Sequence, residues 1–507
     1  MTRVRFDQLN EDLLQNILSK LPAPSFASAA CVSRSWWLAC NRVLSRPKLA
    51  SALSLNPSSC AAAKEVLDKV LSEPIRPHFA IACVVCPKLE LGPVHLLITQ
   101  KLGSRTPVIT CSATGIIGRD ALTGEFKEVL PEVNDRDDNR RVVLIVGFLP
   151  GVKVDAIPLS QPLEHHSAPL VDKFVMDIKD FAISVTHCGS PDAIIIFGAS
   201  SVDMKPVLDS LDRGLSKETA IVGDPNCDFL YRAGNHTGNV CSSLEYASEV
   251  VALVFANDRK KAHGIGETQF YCDSSSGLSP VGPLYRAASV RTINSSQSWI
   301  TAKRTGSNVV LDGQSMLDDI DDELGNEPAW PALYIGVLER RRCRAGSKKG
   351  KGKAVISVAF HEVIGGDEQY LYVDGVDIRT VDAFKFYCPD YNAASSSCHK
   401  VSNNLRGYVA DRAGDSDESN KREVVGGLIF ACCGRGQPFF GSESCDVDSS
   451  PLTENFPGVP IGGKYCLGEI HRYSSSCGLV GELARYDQLV YSTVYLLMSY
   501  IPPPSGL

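Results

Sequence analysis

No stretch of this chain is long and apolar enough to cross a bilayer as a helix. The longest low-charge hydrophobic segment, Leu489 to Ile501, has about 13 residues against the roughly 20 a span needs. An excess of basic charge is also missing. With 51 Lys and Arg against 58 Asp and Glu, the net charge is −7, and a general nucleic-acid binder needs a basic face that this balance does not supply. The first apolar stretch is broken by Glu11 and Asp12, so a secretory leader is not expected, and the 18 cysteines are expected as free thiols in a reducing compartment, cytoplasmic and/or nuclear. The sequons at Asn235 and Asn294 carry no meaning without export.

Catalytic signatures are equally scarce. There is no Gly-x-Ser-x-Gly elbow, no His-Glu-x-x-His and no complete dinucleotide fingerprint. A phosphate loop ending at Gly352-Lys353 would require Gly at Ser347 and Ser or Thr at Ala354, so Gly346 to Ala354 reads as a basic loop. Cys83 and Cys86 form one C-x-x-C, but they lie in a run that reads as a buried strand, where residues three apart face opposite sides. Cys388, Cys398 and His399 lack a clear fourth ligand. His165 and His166 sit in a Ser/Pro-rich loop and read as solvent-exposed. No catalytic residue, metal or cofactor is expected.

What is present begins with a small helical module. From Leu9 to about Leu44 three short helices are expected, punctuated by Pro22, Pro24 and Ser33. Asn10 can cap the first, Glu11 and Asp12 suit its positive end, and Leu13, Leu14, Ile17, Leu18 and Leu21 form an apolar stripe. A module of this size buries too little surface for comfortable stability alone, so so apolar a stripe is expected to pack on a partner.

The run from Leu9 to Pro22, followed after about nine residues by Cys31-Val-Ser-Arg-Ser-Trp36, resembles an F-box, a fold of three helices. The resemblance implies docking on the Skp-type adaptor of a cullin-based ubiquitin ligase. It assigns that contact to Leu9, Leu13, Leu14, Ile17, Leu18, Leu21, Pro22, Val32 and Trp36. The second helix departs from the family pattern, with Phe26, Ala29, Ala30 and Cys31 where many F-boxes carry leucines.

The remainder reads as mixed α/β, with apolar strand-like runs alternating with helical patterns. The expected organisation is an F-box at 1–50, a connecting helix/linker at 51–76, a lobe at 77–270 and a second at 285–504, and the residues leave open whether the two lobes fold separately or as one interlocked unit. Strands are expected at Phe79 to Val85, Pro107 to Cys111, Val142 to Phe148, Ala193 to Phe197, Ala220 to Val222 and Val250 to Phe255. In the second lobe they are expected at Leu333 to Leu338, Ala354 to His361, Ala383 to Tyr387, Gly427 to Cys432 and Val490 to Tyr500. Helices are placed at Ala61 to Ser72, Val94 to Leu102, Ala168 to His187 and Met204 to Leu215. The segments Asp135 to Arg141, Asp273 to Gly282, Arg340 to Lys353 and Asp411 to Glu423 read as loops. No Leu-x-x-Leu-x-Leu repeat is found, so a leucine-rich solenoid is not expected.

The densest cluster of glycine, cysteine and arginine is Gly426 to Gly436, followed by Gly462-Gly463 and Gly468-Glu469. An apolar strand running into Cys432-Cys433-Gly434-Arg435-Gly436 places flexible backbone at a strand end, where glycines permit close ligand approach. Arg435 would then offer a cation to a carboxylate or phosphate; a tight turn with a surface arginine remains the alternative. Cys432 and Cys433, in a strand, would face opposite sides, and a nearby cation can activate a thiol.

This cluster, with Ala113 to Gly118, is similar to paired N- and C-terminal FIST domains found with an F-box in some eukaryotic proteins, the F-box only twenty-two group among them. The resemblance spans most of Arg76 to Tyr500 and implies two α/β lobes that recognise a protein substrate. FIST domains are also regarded as small-ligand sensors, so a small carboxylate is a second expected ligand, at Cys432, Cys433, Gly434, Arg435, Gly436, Gly468 and Glu469. The expectation drawn from all this is a non-catalytic substrate receptor of a Skp-cullin-F-box ubiquitin ligase, with a small-ligand sensor as the alternative.

Overall fold

The computed structural model describes residues 10–85, 91–130, 140–159, 168–234, 249–293, 296–325, 332–342, 354–410, 422–441, 446–472 and 486–503. Of the expected features, Leu9, Cys86, the two sequons, His165 and His166, and most of three of the charged loops lie outside the described residues.

Three helices come first: α1 (Glu11–Ser19), α2 (Ala23–Ala30) and α3 (Arg34–Leu44). Each start has a sequence reason. Asn10 accepts from the Asp12 amide at 3.4 Å, Pro22 precedes α2, and Ser33 accepts from the Trp36 amide at 3.2 Å. Leu14, Leu18, Phe26, Ala29, Ala39 and Cys40 close a small core between them. Gln15 is buried as well and accepts from Arg46 at 2.9 Å.

Three sheets and a barrel follow, with strands numbered along the chain. The first sheet has the order β1 (Lys48–Ser54), β6 (Arg141–Phe148), β2 (Phe79–Val85), β3 (Val108–Ser112), β10 (Phe229–Arg232). The second runs β22 (Tyr486–Leu489), β21 (Glu469–Arg472), β9 (Ala220–Asp224), β8 (Ala193–Gly198), β11 (Val250–Asn257), β7 (Val152–Leu159). The third runs β12 (Glu267–Ser276), β23 (Ser492–Ile501), β19 (Glu423–Cys432), β20 (Ile461–Cys466), β4 (Gly115–Arg119), β5 (Phe126–Val129).

Alternation along each strand explains the layering. In β2, Phe79, Ile81 and Cys83 enter a core shared by all three sheets, while Ala80, Ala82 and Val84 face outward under α4 (Ser59–Val70) and α5 (Leu91–Lys101). The second sheet is covered by α6 (Ala168–Thr186) and α7 (Lys205–Gly214), and the third by α9 (Tyr391–Ala410) and α10 (Ser450–Thr453). Each sheet holds one parallel pair, with Cys83 opposite Cys111, Phe197 opposite Asp224 and Cys432 opposite Cys466.

A closed barrel is inserted between β12 and α9. Its order is β13 (Leu278–Ile293), β14 (Gln297–Arg304), β17 (Leu371–Asp374), β16 (Ala354–Gly366), β15 (Tyr334–Arg342), β18 (Ala383–Pro389). Helix α8 (Gly313–Leu324) adds Met316 and Ile320 to its core.

Three points of the sequence reading are refined here. The lobes at 77–270 and 285–504 interlock: β4 and β5 complete the sheet of β19, β20 and β23, while β21 and β22 complete that of β8 and β9. Residues 51–76 are not a linker, because β1 pairs with β6 and α4 covers that sheet. The Ser/Gly-rich segment Asp273 to Gly282 is also strand for most of its length, ending β12 and opening β13. Pairing with β23 overrides its weak strand propensity. Its buried polar side chain Asp273 is satisfied by Asn404, which donates at 2.9 Å.

Candidate functional site

Two places concentrate functional chemistry. On the helical module, Leu14 and Leu18 point into the module's own core, while Leu13 and Ile17 on α1 are exposed at 48% and 42%. Val32, Trp37 and Leu38 are exposed as well, at 63%, 54% and 44%. A module whose interior is already closed therefore presents five large apolar side chains outward, the property of a docking face. Of the residues assigned to adaptor contact, Leu13, Ile17 and Val32 are exposed, Pro22 is exposed beside them, Leu21 and Trp36 are half-buried, and Leu14 and Leu18 are interior. Trp37 and Leu38 escaped the sequence reading, although their helical offset from Ser33 could have revealed them.

The second place lies where the three parallel pairs end. Lys464 of β20 is buried, and its ammonium donates to Asp224 at the end of β9 and to the Ser112 carbonyl at the end of β3, both at 2.5 Å. One cation thus ties all three sheets together. Burial opposes its charge, but the Asp224 carboxylate beside it holds the ammonium protonated. Around it stand the thiols of Cys83 and Cys111, with sulfurs 3.7 Å apart, and those of Cys227 and Cys466. Neither Lys464 nor Asp224 was singled out from sequence, since they meet only through sheet pairing 240 residues apart.

Arg435 is fully buried. It donates through Nε to Asp448 at 2.8 Å, through Nη1 to the Tyr491 carbonyl at 3.1 Å and through Nη2 to Cys398 at 3.4 Å. Its guanidinium carbon sits 5.2 Å from the centre of the Phe440 ring. The expected choice between a surface arginine and a ligand-facing cation is replaced by a third arrangement, an interior ion pair. Asp448, 13 residues on, and Tyr491, 56 residues on, take up the charge.

The glycines also serve the fold. A Cβ on Gly426 would lie 2.1 Å from Leu49, and one on Gly462 would lie 2.5 Å from Ile145. These positions let the third sheet press on the first. At Gly434 the ring of Tyr491 fills the space, 2.9 Å from where a Cβ would stand, and Gly436 has a positive φ of 87° in the turn that follows.

The strand ends at Cys432 and the chain turns at Cys433, leaving the first thiol buried and the second half-buried. The neighbouring Cys433 and burial push the Cys432 thiol well above its ordinary value, and Cys432 in turn pulls the Cys433 thiol down. Glu469, just past Gly468, is buried and accepts from Ser492 at 2.5 Å, while its Oε1 has no hydrogen-bond partner among the described residues. Burial raises its carboxyl well above the carboxylate range. Among the described residues, no group of three or more His, Cys, Asp or Glu is arranged to hold a metal ion.

Residues 6–36 match the F-box domain family. Across nearly its whole length the chain is also similar to an F-box/LRR-repeat protein of Arabidopsis thaliana, 42% identical over 506 residues that cover 97% of this chain and 93% of the relative. The chain belongs to the F-box proteins. An F-box implies binding of a Skp-type adaptor and, through it, a cullin. The relative's name couples the F-box to leucine-rich repeats; in this F-box protein the described residues beyond the F-box form three mixed sheets and a barrel. Neither comparison assigns a FIST domain.

Proposed function

We propose that this F-box protein is the substrate receptor of a Skp-cullin-F-box ubiquitin ligase. The adaptor covers Leu13, Ile17, Val32, Trp37 and Leu38, and the interlocked α/β body recruits a protein substrate for ubiquitination and proteasomal degradation. The observation that carries the reading is the outward apolar face on a module whose own core is complete. The body is read as FIST-like on the strand entering Cys432 to Gly436 and on Gly468-Glu469. Its role is to hold substrate lysines near a ubiquitin-loaded enzyme, a gain in effective concentration that needs no catalytic residue of its own. The proposed setting is the cytoplasm and/or nucleus.

Small-carboxylate sensing through Arg435 has no comparable support, because that guanidinium is committed to Asp448, Tyr491 and Cys398. The experiment is reconstitution with purified Skp-type adaptor and cullin. A stoichiometric complex is expected with the native chain and not with Leu13→Asp/Ile17→Asp. A chain that stays out of the complex, while folded, overturns the reading.

A further inference from the structure

The barrel inserted after β12 offers a partner no open strand edge, because its strands close on themselves. Whatever meets it is therefore recognised by side chains on its outer wall. Along β13 and β14 those side chains stand in three rows. Arg286 is paired with Lys303, Ser289 with Thr301 and Arg291 with Trp299. Ala287, Ile300 and Ala302, which lie between these rows, are buried in the barrel core, and the alternation along the strands turns the three rows outward. Arg286 and Arg291 are exposed, and the other four are partly exposed.

The charge on this wall is uncompensated. Like charges directly opposite each other on neighbouring strands are destabilising, yet Arg286 faces Lys303, and among the described residues neither side chain has a hydrogen bond or an ion pair. Arg304, next along β14, is already held by Asp319, to which its Nε donates at 2.8 Å. At the far row Arg291 has no carboxylate partner among the described residues either; its guanidinium carbon lies 5.1 Å from the centre of the Tyr370 ring. There Trp299, 5.2 Å from Tyr372 and 5.8 Å from Tyr370, completes an aromatic platform. The exposed acids Glu362 and Asp374 stand on β16 and β17, across that platform, so the cationic strip belongs to β13 and β14.

We propose that this wall docks an acidic, extended segment of the protein substrate, a reading that rests on the receptor role. At about 3.4 Å per residue, the rows of Lys303 and Trp299 on β14 lie about 14 Å apart. An extended peptide running along the wall therefore brings carboxylates about four residues apart to the two cationic rows. Ser289 and Thr301, small and polar, leave room between them. A carboxylate placed at Arg286 and Lys303 relieves their mutual repulsion and accepts charge-assisted hydrogen bonds. An apolar side chain of the same segment rests on Trp299 and Tyr372. Nucleic acid is the poorer fit, because three cations on a chain of net charge −7 supply little of the basic surface that a phosphate backbone demands.

The test measures binding of the full chain to a fluorescein-labelled peptide of alternating glutamate and serine, by fluorescence anisotropy at low and at physiological salt. Saturable binding that weakens with salt is expected, and Arg286→Ala/Lys303→Ala should bind about tenfold more weakly or worse. Both side chains point outward, so this variant should keep the native unfolding transition and still enter the complex with purified Skp-type adaptor. If it unfolds, Arg291→Ala at the other end of the strip gives the same readout. Adaptor capture separates the two readings: a native chain that binds the peptide but not the adaptor sinks the receptor role and supports the docking surface. The proposal is overturned if the native chain does not bind the peptide at low salt, or if the folded variant binds it as tightly as the native chain. Equal or tighter binding of a lysine-serine peptide or of an oligothymidylate overturns it as well.

Discussion

Arg435 shows how a residue with an active-site look can be structural. Its guanidinium and the Asp448 carboxylate are both fully excluded from water. Removing one partner of such a pair strands the other, typically at about 3–5 kcal/mol. Arg435→Ala should therefore lower the chemical-denaturation midpoint sharply; an unchanged midpoint would mean that the arginine is not holding the turn. Glu128 gives a second residue-scale prediction. Burial pushes its carboxyl up to about 8, above the unfolded value of about 4.3. The folded state favours the protonated form, so this contribution is full at low pH and is lost as pH rises through about 8. Glu128→Gln should flatten the fall in stability between about pH 5 and 8, measured as melting temperature across that range; Glu469, raised in the same direction, leaves part of the slope in place. The sequence marked Arg435, Cys432 and Cys433 as a cluster worth attention. It did not reveal their partners, because Asp448, Tyr491 and Cys398 reach them only through folding.

At the scale of elements, apolar runs with turn residues at their ends were the legible part. β2 spans Phe79–Val85 and α6 begins at Ala168, as their patterns indicate. Missed strands such as β1, β12 and β20 are rich in Ser, Gly and Lys, and what makes them strands is pairing with distant partners: β1 with β6, β12 with β23, β20 with β19 and β4. The glycines of β20 are legible only after that pairing is known. At Gly462 a side chain would collide with Ile145 and with Ser51 of the first sheet. Gly462→Val should cost about 1–3 kcal/mol or more through overpacking, read as a fall in denaturation midpoint. A variant of native stability would show that the two sheets can separate without penalty.

At the scale of the molecule, the chain after the F-box behaves as one body with an inserted barrel, because strands from before and after residue 270 share two of the three sheets. A cut near residue 284 removes β19, β20 and β23 from the third sheet and β21 and β22 from the second, and with them the core residues Phe430, Leu496 and Met498. The fragment ending there should fail to give a cooperative unfolding transition; a sharp transition from it would contradict the interlocked arrangement. The Ser/Gly-rich composition near residue 280 looks like a boundary but belongs to paired strands, and the sequence alone leaves separate and interlocked lobes equally open. The F-box, by contrast, was legible at both levels, since its caps, prolines and apolar spacing are local.

Docking of the Skp-type adaptor on the outward face of this module is read by calorimetric titration of purified adaptor into the full chain and into Leu13→Asp/Ile17→Asp. Both substituted side chains are exposed, so the fold should persist, checked by an unchanged unfolding transition of the body. Buried apolar anchors at interfaces typically contribute about 2 kcal/mol or more each, so the variant should bind at least about 100-fold more weakly. Equal affinity of the two chains would mean that this face does not dock the adaptor.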